Sequence, residues 1–233
     1  MSRRWIGLVM VVGMFVLALA VFPLLPERIP VHWNVRGEVD GWADRWPGAF
    51  IVPLIALGVW LLLWALPKID PRRSQYEGFW GTYWLIVNLV VAFLALVEVV
   101  TLAAALGWAV DMTQVVLIAV GALFVVLGRQ LPRVQPNWWL GVRTPWTLED
   151  DHVWRETHEL AGRTFVAGGL LTVAGAFLPV AIRPWVALAG LGLAGFVPVV
   201  YSYLVWRRRR REGVAGRGDQ RIGGANGEAE ERG

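Results

Sequence analysis

Six apolar runs constrain this chain more than any other feature: residues 5–25, 49–66, 83–106, 113–131, 164–182 and 185–206. A hydrocarbon core about 30 Å thick takes roughly 20 apolar residues at 1.5 Å of helical rise each, and every run is of that order. The second run is short, and the fourth begins beside Asp111. A soluble chain of 233 residues would need charge to cover its surface, yet 17% of the residues are charged and 15 are tryptophan. The expected fold class is therefore an all-α polytopic membrane protein of about six transmembrane helices. Arg3 and Arg4 precede the first run, and Ala18-Leu19-Ala20 resembles a signal-peptide cleavage site. The run passes that point unbroken to Leu25, which favours a retained helix.

Basic residues orient the bundle. With the N-terminus inside, the outer segments carry Arg28, Arg36, Arg45 and Arg183, and the other 18 of 22 basic residues lie inside. Both termini are thus expected in the cytoplasm. Trp5, Trp46, Trp64, Trp84, Trp108, Trp185 and Trp206 stand at run ends, where an amphipathic ring anchors at the lipid–water boundary. The basic balance follows from these inner arginines, so direct nucleic-acid binding need not be invoked. The run at 207–211 reads as a topology signal before a lipid site, and 207–233 as a basic, disordered cytoplasmic tail. There is no cysteine, which excludes disulfides and thiolate metal sites.

Two connections are too long and too patterned to be plain linkers. In the outer one, 26–48, Pro26 and Pro30 oppose a helix. Ile29, Val31, Trp33 and Val35 alternate with Pro30, His32, Asn34 and Arg36, the period of a short strand. Gly37 and Asp40-Gly41 supply turn chemistry, so the expectation is a hairpin-like cap with its Trp/Val face on the bundle. In the inner one, 128–163, an ordered loop leads to Thr147 and Asp150, which resemble a capping box. Val153, Trp154, Leu160 and Ala161 then share one face, as in an amphipathic helix on the inner membrane surface running into the fifth span.

These two segments carry a family resemblance. Leu25-Pro26, Ile29-Pro30, His32-Trp33-Asn34, Gly37 and Asp40 resemble the signature of the DUF1648 region found at the N-terminus of the SdpI family of bacterial membrane proteins. Asn137, Gly141, Arg143-Thr144-Pro145-Trp146-Thr147, and then Trp154, Thr157 and His158 resemble that family's second signature. Arg45 stands where many relatives carry lysine, and the charge is kept. The implied division is a DUF1648-like region at 1–66, an SdpI-like region at 67–206 and the tail. The resemblance implies a bacterial cytoplasmic-membrane protein giving immunity to a secreted, membrane-active peptide toxin on the outer side. A cytoplasmic repressor or other protein would be the partner on the inner side.

The candidate site residues have bland readings beside the functional ones. His32, Asn34 and Asp40 converge on one outer segment and offer a peptide-facing surface with Trp33, yet Asn and Asp also tie down Gly/Pro-rich turns. Two ligands are too few for a metal, so none is expected, nor any cofactor. Inside, Arg143 has a lipid phosphate, Glu149 or Asp150 as candidate partners, while Asn137 and Thr144 read as loop anchors and His158 as packed against Trp154. Glu98 lies within the third span, with Thr101 one turn on. An ionised carboxylate there costs about 2.5–3.5 kcal/mol, and such residues often mark proton or ion paths. No HExxH, GxSxG or phosphate-loop pattern occurs. The reading is a non-enzymatic immunity or signalling protein, with an ion-coupled carrier using Glu98 as the rival and an intramembrane enzyme last.

Overall fold

The computed structural model describes residues 3–230, and side chains over 3–212. Helix α1 (Ile6–Val21) leads to a two-stranded hairpin, β1 (Arg28–Trp33) and β2 (Val39–Asp44), and then α2 (Arg45–Ala65). Helices α3 (Trp80–Ala105) and α4 (Met112–Gln130) follow, then a short α5 (Pro145–Glu149), α6 (Asp151–Gly175) and α7 (Arg183–Glu230). Three helices stop in the same way: α1, α2 and α4 each run into a one-turn 3-10 segment with proline near its start, at Pro23, Pro67 and Pro132. Proline has no N–H to extend the ladder and clashes with the preceding turn.

Among the described residues five helical segments are long and apolar enough to cross a bilayer: Arg3–Leu24, Arg45–Lys68, Trp80–Ala105, Met112–Arg133 and Arg183–Glu212. The protein is a polytopic helical membrane protein with one small sheet. Its waist displays large apolar side chains outward, among them Val12, Leu19, Leu62, Leu170 and Phe196. Water would penalise such a surface, and lipid tails match it.

Helix α6 corrects the expected fifth span. The helix begins at Asp151 and ends at Gly175, so residues 176–182 leave it as a turn. Its first half is continuous with its second. Nothing breaks the helix near residue 163, and Val153, Trp154, His158 and Ala161 are buried against protein. One helix of about 37 Å, at 1.5 Å per residue, thus joins the two ends of the bundle.

Small residues bring α6 against its neighbours. A Cβ added at Gly121 or Gly128 of α4 would come within 2.6 Å of the carbonyl oxygen of Gly169 or Gly162, and the reverse substitutions meet the same obstruction. Both pairs are seven residues apart, so the two glycine faces match along an antiparallel seam. This is small-residue packing of the kind that replaces the hydrophobic effect inside lipid. Gly168 and Gly190 repeat the arrangement between α6 and α7.

Helices α1, α2 and α3 pack through two apolar clusters. One gathers Val11, Met14, Ala56, Trp60, Val87 and Val91, and reaches Tyr76 and Trp154 at the arginine-rich end. The other gathers Ala18, Leu25, Ile29, Phe50, Leu102 and Ala105 beneath the hairpin. The expected tail is corrected at its start. Helix α7 continues through the arginine run, where Arg208 pairs with Glu212 one turn on (2.9 Å) and Arg209 with Asp150 at the start of α6 (2.9 Å). The side chains of 213–233 lie outside the described residues.

Candidate functional site

The hairpin cap is built by its own sequence. Ile29 pairs with Ala43 and Pro30 with Trp42, and the register then shifts around His32, which faces Gly41. Pro30 cannot donate to the ladder, and a bulge beside it is the usual accommodation. Gly41, expected in a turn, lies within β2. A Cβ there would meet the His32 side chain at 2.7 Å. The turn is at 34–37 instead. Asn34 Oδ1 accepts the N–H groups of Arg36 (2.9 Å) and Glu38 (3.1 Å), and Gly37 takes φ +84°, a left-handed conformation that glycine tolerates. The tip also touches α4: a Cβ on Gly37 would sit 3.2 Å from Thr113 Oγ1. Asp111 N-caps α4 and is paired with Arg183 at the start of α7 (2.6 Å).

The hairpin is anchored by Ile29, fully buried against Gly48 of α2. On its outward side His32 Nδ1 and Asp40 Oδ1 stand 2.5 Å apart, both exposed, with Trp42 exposed beside them. Beneath it lies a cavity of about 380 Å³, walled by Val31, Trp33, Ile51, Val97, Thr101 and Val116. Its walls come from the hairpin, α2, α3 and α4, and they are mostly apolar. One turn from Thr101, Glu98 is fully buried and neither carboxylate oxygen has a hydrogen-bond partner. It occupies the buried stripe of α3 between the two apolar clusters. Asn88 is turned elsewhere, with Nδ2 donating to the Arg3 carbonyl (2.8 Å).

At the opposite end the motif residues are consumed in holding one loop. Asn137 is fully buried: Oδ1 accepts the N–H groups of Trp139 (2.9 Å) and Leu140 (2.7 Å), and Nδ2 donates to the carbonyls of Gln135 and Leu140. The N–H of Val142 donates to His158 Nε2 (3.1 Å), so that nitrogen carries no proton and Nδ1–H donates to the Trp154 carbonyl (2.8 Å). The ring also stacks on Trp154 at 4.1 Å, and Trp154 Nε1 donates to the Val134 carbonyl. Gly141 makes this possible: its φ is +110°, and a Cβ there would land on His158 Nε2. Burial pulls the His158 pKa down to about 4, against the opposing pull of the Trp154 carbonyl.

Two sequence expectations shift here. The capping box is one step earlier than Thr147/Asp150: Thr144 caps α5 with Thr147 returning the bond, while Asp150 separately caps α6. Arg143 pairs with neither Glu149 nor Asp150. It is exposed and donates to the Trp138 carbonyl (2.6 Å). Pro145 stands in the first turn of α5, and Trp146 Nε1 and Thr144 Oγ1 both reach Ser202 of α7. Sequence reasoning also missed Asp70. It accepts Tyr76 OH (2.8 Å) and the Trp138 N–H (3.0 Å), and Arg72 joins the same junction through the Leu148 carbonyl and Asp151. Burial first, then Asp70, raises the Tyr76 pKa far above the usual phenol range. An acidic residue set between Lys68 and Arg72-Arg73 in the sequence was the available signal.

The hairpin residues and the motif-loop residues therefore lie at opposite ends of the bundle, and Glu98 belongs with neither. Fold and sites together define a polytopic helical membrane protein with a preformed hairpin cap at one end and a locked motif loop at the other. The SdpI/YfhL protein family model matches residues 133–202, and the model for a domain of unknown function, DUF1648, matches 9–57. The chain thus carries an N-terminal DUF1648 region and a C-terminal SdpI-type region. It is 25% identical over 171 residues to the immunity protein SdpI of Bacillus subtilis (strain 168), covering 73% of this chain and 80% of the relative. It is also 25% identical over 87 residues to the uncharacterized membrane protein YbgB of the same organism, covering 37% of this chain and 86% of the relative. No solved structure matches the chain.

Proposed function

We propose that this protein protects its cell from a secreted, membrane-active peptide, meeting it at the hairpin cap and passing the event to a cytoplasmic partner. The observation that carries this reading is the cap itself: an ordered hairpin with an exposed His32–Asp40 pair above a mostly apolar cavity of about 380 Å³. A polar rim over an apolar recess suits a peptide that must also partition into lipid. That the B. subtilis relative is an immunity protein supports it. The N-in, C-in orientation belongs to this reading, because the arginine-rich end would face the cytoplasm. A binding role is preferred to catalysis, since His158, Asn137, Thr144 and Thr147 spend their polar atoms on the loop.

Expression in a toxin-sensitive strain tests it. Wild type should protect, and His32→Ala with Asp40→Ala should abolish protection at equal membrane abundance. Protection that survives both changes removes the cap from the role. One observation favours a second reading, an ion-coupled carrier: the unpartnered Glu98 carboxyl. Glu98→Gln keeps the shape and removes the ionisable group. It should leave protection intact if the cap reading holds, and a loss of protection with abundance unchanged would favour the carrier.

A further inference from the structure

At the arginine-rich end, a cleft of about 890 Å³ opens between the feet of α1 and α2, the 66–79 connection and the start of α3. Arg4, Lys68 and Arg73 line it together with Trp64, Trp80 and Trp84, and Ser74 and Glu77 complete the wall. Among the described residues those three cations form no ion pair, although Arg72, Arg183, Arg208 and Arg209 all do. Trp80 and Trp84 stack with ring centres 6.3 Å apart. Even with Glu77 counted, the cleft holds a positive excess. Its tryptophans are at helix ends, the depth at which indole rings mark the headgroup layer.

We propose that this cleft binds the headgroup of an anionic phospholipid. Arginine forks and a lysine ammonium are suited to a phosphodiester, and the indole walls suit the glycerol and the first acyl carbons. A free phosphate ion would leave most of the volume empty. The site is distinct from the 207–211 arginines, which lie along α7, and it is independent of the toxin reading.

Native mass spectrometry on the full chain released from nanodiscs tests the assignment, with phosphatidylglycerol or phosphatidylcholine as the probe lipid. Wild type should retain phosphatidylglycerol preferentially. Arg4→Gln with Lys68→Gln and Arg73→Gln should weaken retention by roughly fivefold for each cation removed, while Arg207→Gln with Arg208→Gln and Arg211→Gln should leave it. Glu77→Gln removes the opposing charge without emptying the cleft, so it should strengthen retention even if the triple variant fails to fold. Equal retention of the two lipids overturns the proposal. So does retention that neither the triple change nor Glu77→Gln alters, or displacement by millimolar inorganic phosphate, which would make the cleft a general anion site.

Discussion

His158 shows how much of a motif can be structural. Its ring takes one N–H from Val142 and gives one to Trp154, and protonation would force Nε2 to donate toward a donor. The folded pKa of about 4 lies below the ordinary 6.5, so between those values the unfolded chain binds the extra proton and stability falls as pH falls. The contribution is complete above about pH 6.5 and amounts to about 3 kcal/mol lost by pH 4. Thermal unfolding in detergent should therefore drop in temperature across that window. His158→Gln, whose amide can both donate and accept, should flatten the drop. An identical pH profile in the variant would show that another group dominates. Asn137 and Thr144 were legible as loop anchors from sequence because their chemistry is local. Their partners Tyr76 and Ser202 were not, since nothing in a single chain pairs residues separated by 61 or 58 positions.

At the scale of elements, hydrophobic length was enough to find the five long apolar helices, though not the bounds of α6, and period-two alternation found the first strand of the cap. The second strand was hidden because Asp40 and Gly41 look like a turn until His32 is set opposite them. The α4–α6 seam was hidden for a different reason: glycine in an apolar run is ordinary until two matched spacings face each other. That seam gives a sharp contrast. Gly169→Val should separate α4 from α6 and lower the unfolding temperature by several degrees, with cavity and strain costs of about 1–3 kcal/mol. Gly58→Ala, where an added Cβ meets nothing within 4 Å, should be neutral or slightly stabilising. Equal effects at the two positions would mean the seam does not close in the bilayer.

For the whole molecule, the two poles are chemically different. One has the hairpin, Asp111 and Arg183; the other has the motif loop, Asp70 and the arginines of α7. The chain has no cysteine, so single cysteines introduced at Glu38 and Asp151 report sidedness without background. Glu38 should label from outside and Asp151 only after permeabilisation; the reverse pattern would invert the proposed orientation. The helices also divide. Helices α4, α6 and α7 are drawn together by glycine seams, whereas α1, α2 and α3 pack through bulkier side chains, and α3 with α4 is the main helix contact between the two groups. The cavity under the hairpin opens along the line between them, with α2 and α3 on one side and α4 on the other. It thus lies between the two groups and not within one. A guest lodged there would act as a wedge, and the Asp70–Trp138 and Arg72–Asp151 ties at the far end of the same line are where its leverage would be felt.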